Sequence, residues 1–174
     1  IACMNNGFNS LGLKPTFRIN NRNLMNQIFG QINIPQSKYA DVLRAIDKLD
    51  KIGETGLKKE LESIGVPIAK LIKIISINGN SNNVYSKLNK LDIIIDNSEL
   101  DSLFEKIASI QLNSTKLKVD LSLARGLDYY TGNVYEIDIG EEMSVGGGGR
   151  YSRLINELTG KDLTGIGISV GITR

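Results

Sequence analysis

Histidine is absent from the 174-residue sequence, and cysteine occurs only once, at Cys3. Without histidine, a Ser-His-Asp triad, a Cys-His catalytic pair and a histidine-ligated metal are excluded within this sequence. A single cysteine can form no internal disulfide and no cysteine-based zinc site, and it gives no sign of an oxidising compartment. We therefore expect no metal site here, and a chemistry that depends on positioning and electrostatics.

Long hydrophobic runs and a strong charge of either sign are also missing. The most apolar stretch, residues 71–77, contains Lys73 and is far shorter than the roughly 20 residues that span a bilayer. The formal net charge of +2 is too small to indicate a nucleic-acid partner by itself. No signal peptide is recognisable. We therefore expect a cytoplasmic, globular protein without a membrane association.

Both ends of the sequence look cut. The chain begins at Ile1 and stops at Arg174, directly after the strand-like run GIGISVGI at residues 165–172. A helix or turn is expected to follow and cover such a strand. We therefore interpret the sequence as part of a larger protein.

The spacing of apolar residues changes twice along the chain. Period-two alternation, which is typical of strands, occurs at residues 14–20, 117–125, 130–139 and 165–172. Between the first two of these runs, apolar residues recur three and four positions apart, which is the pattern of amphipathic helices. The pattern predicts an α+β fold, in which one antiparallel sheet with flanking helices is interrupted by a small all-helical insertion domain.

This change of spacing also predicts where the parts of the chain meet. We expect a first part of the core at residues 1–33, a helical insertion domain at 34–116 and a second part of the core at 117–174. Within these parts, Asn20 or Asn21 is a candidate helix cap. Ser98 with Asp101 resembles a capping box, and residues 78–83 (NGNSNN) are expected to form a polar turn or loop.

Polar side chains are concentrated in residues 125–136, RGLDYYTGNVYE, which otherwise alternate like a strand. Arg125 offers a planar fork of donors that suits carboxylate or phosphate oxygens. Its structural alternative is an ion pair with Asp120 or Asp128. In a regular strand, Tyr129 and Tyr130 would point to opposite faces, so only one of them is expected to line a pocket directly.

Glycines remove side chains from two further segments, the run at 146–149 and the positions 165, 167 and 171. Glycine weakens a strand unless something must approach the backbone closely. One interpretation is a sheet surface that accommodates a flat ligand. The other is a flexible loop at 146–149 followed by a tightly packed strand, and the residues alone leave both open. Neither a GxGxxG fingerprint nor a Walker loop fits.

Three motifs occur in the order found in one enzyme family. Residues 125–136 closely resemble the first histidine-specific motif of histidyl-tRNA synthetases, GGGGRYSRL at 146–154 resembles the second, and GIGISVGITR at 165–174 resembles class II motif 3. Residues 17–29 and 42–53 resemble the stretch after motif 2 and the start of the helical insertion in archaeal and eukaryotic-type members. The resemblance implies a class II synthetase-type antiparallel sheet.

The resemblance also implies a role for individual positions. Arg125 corresponds to the catalytic arginine that bridges the histidine carboxylate and the α-phosphate of ATP. Tyr130 and Tyr151 would line the imidazole pocket, and the glycine run would form its floor. The implied histidine-binding residues are Tyr129, Tyr130, Gly147, Gly148 and Tyr151. The implied ATP-binding residues are Arg125, Gly171 and Arg174.

The activity implied by the resemblance is two-step acyl transfer by a histidine-tRNA ligase. L-histidine would be activated with ATP, accompanied by Mg²⁺, and then transferred to tRNA(His). The family forms homodimers through motif 1. Motif 1, motif 2 and the anticodon-binding domain are not in this sequence, and the residues that hold Mg²⁺ are expected upstream of it, so we expect the chain alone to be inactive.

Two positions depart from the motifs: Ser152 replaces a usual aspartate, and Thr173 replaces a usual acidic residue. A rival interpretation is a non-catalytic, histidine-binding paralogue such as the regulatory subunit of ATP phosphoribosyltransferase. A third is a structural or interaction domain that has lost its ligand. The intact Arg125, Tyr130 and Tyr151 favour the enzyme.

Overall fold

The computed structural model describes residues 1–110, 116–125, 129–140 and 144–171. Helices and strands alternate irregularly along the chain, with most of the helices between the first and third strands. The elements are α1 (Ala2–Ser10), β1 (Thr16–Asn21), α2 (Arg22–Gln31), a short 3-10 helix (Gln36–Lys38), α3 (Tyr39–Asp47), α4 (Leu49–Ile64), α5 (Ile68–Ile75), β2 (Asn78–Gly79), α6 (Ser81–Asn89), α7 (Ser98–Ser109), β3 (Lys116–Asp120), β4 (Asn133–Asp138), β5 (Ser144–Arg150), α8 (Ser152–Thr159) and β6 (Ile166–Val170). None of the helices in the described ranges has the length and apolar character needed to cross a membrane.

The six strands form one sheet in the order β2-β3-β1-β4-β5-β6. The prediction of a single sheet for the four alternating runs is confirmed. The expectation of purely antiparallel pairing is wrong at one place, because β1 and β3 run parallel from Thr16↔Lys116 to Ile19↔Val119. The helical segment between these two strands is long enough to return the chain to the same end of the sheet, which parallel pairing requires.

Two strands were not predicted. The glycine run belongs to β5, which pairs with β4 on one side and β6 on the other, so the interpretation as a flexible loop is wrong. Backbone hydrogen bonds on both sides hold a strand that has few side chains to pack. Asn78 and Gly79, expected in a turn or loop, instead form β2, which pairs with Asp120 and Val119.

The core lies on one face of the sheet and among the helices. Phe17, Ile19 and Ile137 are fully buried on that face, and Leu24 and Ile28 of α2 are also buried. Apolar residues of the helical segment, such as those of α3 and α4, join the same cluster of buried side chains. The sheet and the helices therefore share one core, and the predicted boundaries of an insertion domain stay a prediction.

Helix capping is partly as expected. Asn21 caps α2, because its side-chain oxygen accepts a hydrogen bond from the Leu24 N–H at 3.0 Å. The capping box predicted at the start of α7 is wrong. There, the Ser98 N–H donates to Asp96, while Asp101 accepts from the Tyr85 hydroxyl at 3.0 Å. The Asp101 carboxylate is thus shared between the Tyr85 hydroxyl and the Asn97 side chain, which donates at 2.6 Å, and it forms no capping box with Ser98.

Candidate active site

The strand register places polar residues together on the face of the sheet opposite the core. Arg18 lies directly across from Glu136, Glu136 from Gly147, and Gly147 from Ser169. Directly opposed residues of antiparallel strands share a face. Phe17 is one position before Arg18 on β1, so its side chain points to the other face, which is the core face. One row across four strands thus carries an arginine, a glutamate, a bare glycine and a serine.

A cavity of about 280 Å³ opens on this part of the sheet. It is close to the size of the smallest ligand pockets, roughly 300 Å³. Six of the predicted site residues line it, from three separate stretches of the chain: Arg125, Tyr129, Tyr130, Gly147, Gly148 and Gly171. Glu136, Ser144 and Ser169, which were not predicted as site residues, line it as well.

The two adjacent tyrosines both face the cavity. Tyr129 and Tyr130 precede β4 and are not part of a regular strand, so the expectation that only one of them lines a pocket is wrong. Their ring centroids are 4.4 Å apart. Burial, and next a hydrogen bond with Tyr129, raise the pKa of Tyr130 well above its ordinary value. Its phenol, which like any tyrosine is protonated at neutral pH, can donate a hydrogen bond.

Tyr151 supports this arrangement from beside the cavity. Its ring centroid lies 6.4 Å from that of Tyr130, but Tyr151 is not among the residues that line the cavity. The bare backbone of β6 makes room for it, because a Cβ at Gly167 would lie 2.6 Å from the Tyr151 ring. A side chain there would push the ring away.

The glycines of β5 serve two purposes. A Cβ at Gly149 would lie 2.7 Å from the Tyr130 ring, so this glycine accommodates a tyrosine. Gly147 and Gly148 line the cavity. A Cβ at Gly148 would lie 2.1 Å from the carbonyl oxygen of Gly167, so only glycine fits beside β6. Several of the glycines thus make room for aromatic rings, whereas Gly147 faces the cavity.

A network of charges underlies the cavity. The Arg18 side chain contacts three carboxylates: Asp138 at 2.8 Å, Glu136 at 2.5 Å and Asp120 at 3.4 Å. Burial acts to lower the pKa of the Arg18 guanidinium, but the charges of the three carboxylates outweigh burial and raise it. The other oxygen of Glu136 lies 2.6 Å from Nη1 of Arg125.

Arg125 therefore has an ion-pair partner other than the Asp120 or Asp128 of its structural alternative. Asp120 pairs with Arg18 and Arg125 pairs with Glu136, so the alternative of an ion pair between Arg125 and Asp120 is wrong. Asp128 lies outside the described residues. The Arg125 side chain remains 55% exposed and lines the cavity, so it can meet a ligand there.

Arg174 and Thr173, at the end of the third motif, lie outside the described residues. Among the described residues, the aspartates, glutamates and Cys3 form no group of three or more that could hold a metal ion. The role of Arg174 toward ATP stays a prediction.

The charged network beneath the site was not foreseen. The alternation of residues 14–20 places Arg18 on the polar face of its strand, and Glu136 and Asp138 alternate in the same way on β4. Those two signals could have identified the face. They could not identify the partners, because Arg18 and Glu136 are 118 residues apart and only strand pairing brings them together.

The sequence matches one protein family along its whole length. The sequence model of the family described as Histidyl-tRNA synthetase matches residues 1–174. The histidine–tRNA ligase of Clostridium tetani is 41% identical over 179 residues, which cover 96% of this chain and 40% of that protein. The corresponding protein of Korarchaeum cryptofilum is 41% identical over 165 residues, 90% of this chain and 37% of that protein.

Solved structures share the fold. The crystal structure of histidyl-tRNA synthetase from Nostoc sp. PCC 7120 superposes with a TM-score of 0.86 at 33% identity, over 99% of this chain and 44% of that chain. A Bacillus halodurans protein titled ATP phosphoribosyltransferase regulatory subunit/histidyl-tRNA synthetase gives a TM-score of 0.80 at 19% identity, over 99% and 46%. The latter shows likeness of fold alone. This chain spans about two fifths of the length of the curated relatives that it matches.

Proposed function

Because this chain belongs to the histidyl-tRNA synthetase family, we propose that the full-length protein is an ATP-dependent histidine-tRNA ligase. It activates L-histidine as histidyl-adenylate and transfers the histidyl group to tRNA(His). The observation that carries the proposal is the position of Arg125, which lines a cavity together with Tyr129 and Tyr130 on the polar face of the sheet. The described chain supplies a part of this site, and the remaining parts belong to the rest of the protein.

Arg125 is the group that acts on the reacting atoms. A carboxylate oxygen of histidine attacks the α-phosphorus of ATP, and pyrophosphate leaves. The planar guanidinium can contact the carboxylate and an α-phosphate oxygen at once. Charge on the phosphate peaks in the transition state, where a positioned donor of this kind contributes roughly 3–4 kcal/mol. Arg125 is exposed enough to reach these atoms.

The tyrosines recognise the side chain of the amino acid. The Tyr130 phenol is protonated at neutral pH, as in any tyrosine, and burial raises its pKa further, so it can exchange a hydrogen bond with an imidazole nitrogen. Tyr129 lines the same cavity. Tyr151 packs beside Tyr130 and fixes the position of its ring. Gly147 and Gly148 contribute a floor that lets the amino acid approach the backbone.

The roles proposed toward ATP, Mg²⁺ and tRNA(His) follow from membership of the same family. Gly171, at the edge of the cavity, and Arg174 are proposed to contact ATP. Mg²⁺ would accompany the ATP phosphates, and its protein ligands would come from the rest of the protein. In the second step a terminal hydroxyl of tRNA(His) attacks the adenylate, and AMP leaves. The homodimer and the cytoplasmic location stay predictions.

A non-catalytic histidine-binding protein is the alternative. Its support is the fold shared with the Bacillus halodurans protein and with an ATP phosphoribosyltransferase complex from Thermotoga maritima, at 19% and 18% identity. A shared fold at this sequence identity does not show a shared activity. The intact Arg125 beside the tyrosines favours the ligase.

Histidine-dependent exchange of pyrophosphate into ATP tests the proposal. We expect the full-length protein to catalyse exchange with L-histidine and not with L-phenylalanine, which has no ring nitrogen to bond. Calorimetry with L-histidine provides the second readout. Histidine binding without any exchange would contradict the ligase and favour the regulatory alternative.

A further inference from the structure

Glu136 is a buried carboxylate between two arginines. It is 3% exposed. One of its oxygens lies 2.5 Å from Nη2 of Arg18, and the other lies 2.6 Å from Nη1 of Arg125. We infer that Glu136 is a positioning residue, which holds the guanidinium of Arg125 at the cavity while Arg18 holds Glu136. This inference rests on the proposed function, in which Arg125 acts on the reacting atoms.

The balance of charge explains why Glu136 needs Arg125. The network contains three carboxylates, Asp120, Glu136 and Asp138, and Arg18 contacts all of them. One guanidinium cannot neutralise three carboxylates, and a buried charge without adequate compensation is strongly unfavourable. Arg125 supplies the second positive charge at Glu136. A long, half-exposed side chain is thereby drawn to one position.

The contact leaves the donors of Arg125 available. Although the two atoms are 2.6 Å apart, the N–H bonds of Arg125 are not aligned on Oε1 of Glu136, which has no hydrogen-bond partner. The contact is thus an ion pair without a well-formed hydrogen bond. A guanidinium has five N–H donors, and those of Arg125 can point toward a ligand.

The strands around Glu136 make it a rigid support. β4 has hydrogen-bonded neighbours on both sides, β1 and β5. Gly147, directly across from Glu136 on β5, places no side chain beside the carboxylate. A rigid supporting residue matters because a misplacement of 1 Å in the reacting group that it holds can lower a rate by roughly 100-fold.

The first test compares Glu136→Gln with Asp138→Asn in the full-length protein. Both changes remove one charge that Arg18 contacts, but Asp138 makes no contact with Arg125 among the described residues. We expect Glu136→Gln to lower the single-turnover rate of adenylate formation roughly 10- to 100-fold, with KM for histidine and ATP changed little. Asp138→Asn should retain the rate at a comparable melting temperature.

A double-mutant cycle shows whether Glu136 acts through Arg125. If it does, adding Glu136→Gln to Arg125→Lys should cause little further loss, because coupled residues are not additive. Should Glu136→Gln fail to fold, Glu136→Asp replaces it. This variant keeps the charge for Arg18 but is one methylene shorter, and it should show the same loss of rate.

The outcomes separate this inference from the proposed function. No histidine-dependent exchange by the wild type defeats the ligase itself, and the positioning role with it. An active wild type with an equally active Glu136→Gln or Glu136→Asp variant defeats the positioning role alone. Fully additive losses in the cycle, or an equal loss of rate in Asp138→Asn, would also overturn it.

Discussion

At the scale of single residues, the sequence showed the cavity-lining groups better than the groups behind them. Arg125 and Tyr130 were recognisable because they stand in a short polar stretch that resembles a family motif, and both line the cavity. Glu136 was visible in the same stretch, but its two arginine partners were not. Arg18 is distant in the chain, and no local spacing reports which strand will lie beside another.

Tyr135 is a residue whose chemistry only the structure shows. It is 7% exposed, and its hydroxyl has no hydrogen-bond partner in the described part of the chain. Burial, and next the charge of Cys3, raise its pKa to about 12. The neutral phenol is therefore favoured in the folded state, compared with a pKa of about 10 for an unfolded chain.

We predict that Tyr135→Phe stabilises the full-length protein. Removing a buried, unpaired hydroxyl should raise the free energy of unfolding by about 1 kcal/mol at pH 7. Since the folded-state pKa is raised, the stability contributed by the neutral phenol is complete below about pH 10 and is lost as the pH rises to about 12. Urea unfolding from pH 7 to 11 should show a gap between variant and wild type that widens above pH 10. A destabilised variant, or a constant gap, would be inconsistent with this account.

At the scale of elements, prediction succeeded where side chains alternate and failed where they are missing. Phe17 and Ile19 revealed β1, and the apolar stripe of residues 42–46 revealed α3. Four consecutive glycines have no periodicity, so β5 could be recognised only from its neighbours. The parallel pairing of β1 with β3 and the two-residue β2 depend on tertiary structure in the same way.

The fit of the Tyr130 ring against β5 leads to a prediction for Gly149→Ala. The new Cβ would lie 2.7 Å from the ring and 2.8 Å from the carbonyl oxygen of Asn133, so both the Tyr130 ring in the cavity and the chain next to β5 must shift. Loss of one hydrogen bond to histidine should raise KM for histidine about tenfold, with a smaller change in KM for ATP. The measurement is pyrophosphate exchange over a range of histidine concentrations.

Gly7→Ala is the matched control for this substitution. Gly7 lies in α1, and a Cβ there would meet nothing within 4 Å. Alanine favours a helix over glycine by roughly 1 kcal/mol, so this variant should be as active as wild type and at least as stable. Equal histidine KM values for both variants would show that the Tyr130 ring does not recognise histidine.

At the scale of the whole molecule, the sheet joins parts of the chain that are far apart in sequence. Arg18 of β1 contacts carboxylates on β3 and β4, so one side chain connects the start of the chain with its last third. The family resemblance indicated this architecture as a whole. Composition and spacing gave the α+β class but not the strand order.

We predict that Arg18→Met destabilises the fold far more than the removal of a surface arginine. Three carboxylates would lose their shared partner, and breaking such a buried pair typically costs about 3–5 kcal/mol. Arg153→Met is the control, because its pair with Glu157 lies on an exposed face of α8 and such pairs contribute at most about 1 kcal/mol. Equilibrium unfolding in urea measures both. Similar losses in the two variants would show that the Arg18 network does not hold the strands together.

The central claim is that the polar face of this sheet activates histidine through Arg125. The most direct measurement is the single-turnover rate of histidyl-adenylate formation by full-length Arg125→Lys, with its melting temperature. Because lysine cannot bridge carboxylate and phosphate as a planar fork does, we predict a rate roughly 100- to 1000-fold below wild type, with similar KM values and an unchanged melting temperature. A near-normal rate, or a loss that accompanies a collapse of the melting temperature, would contradict the claim.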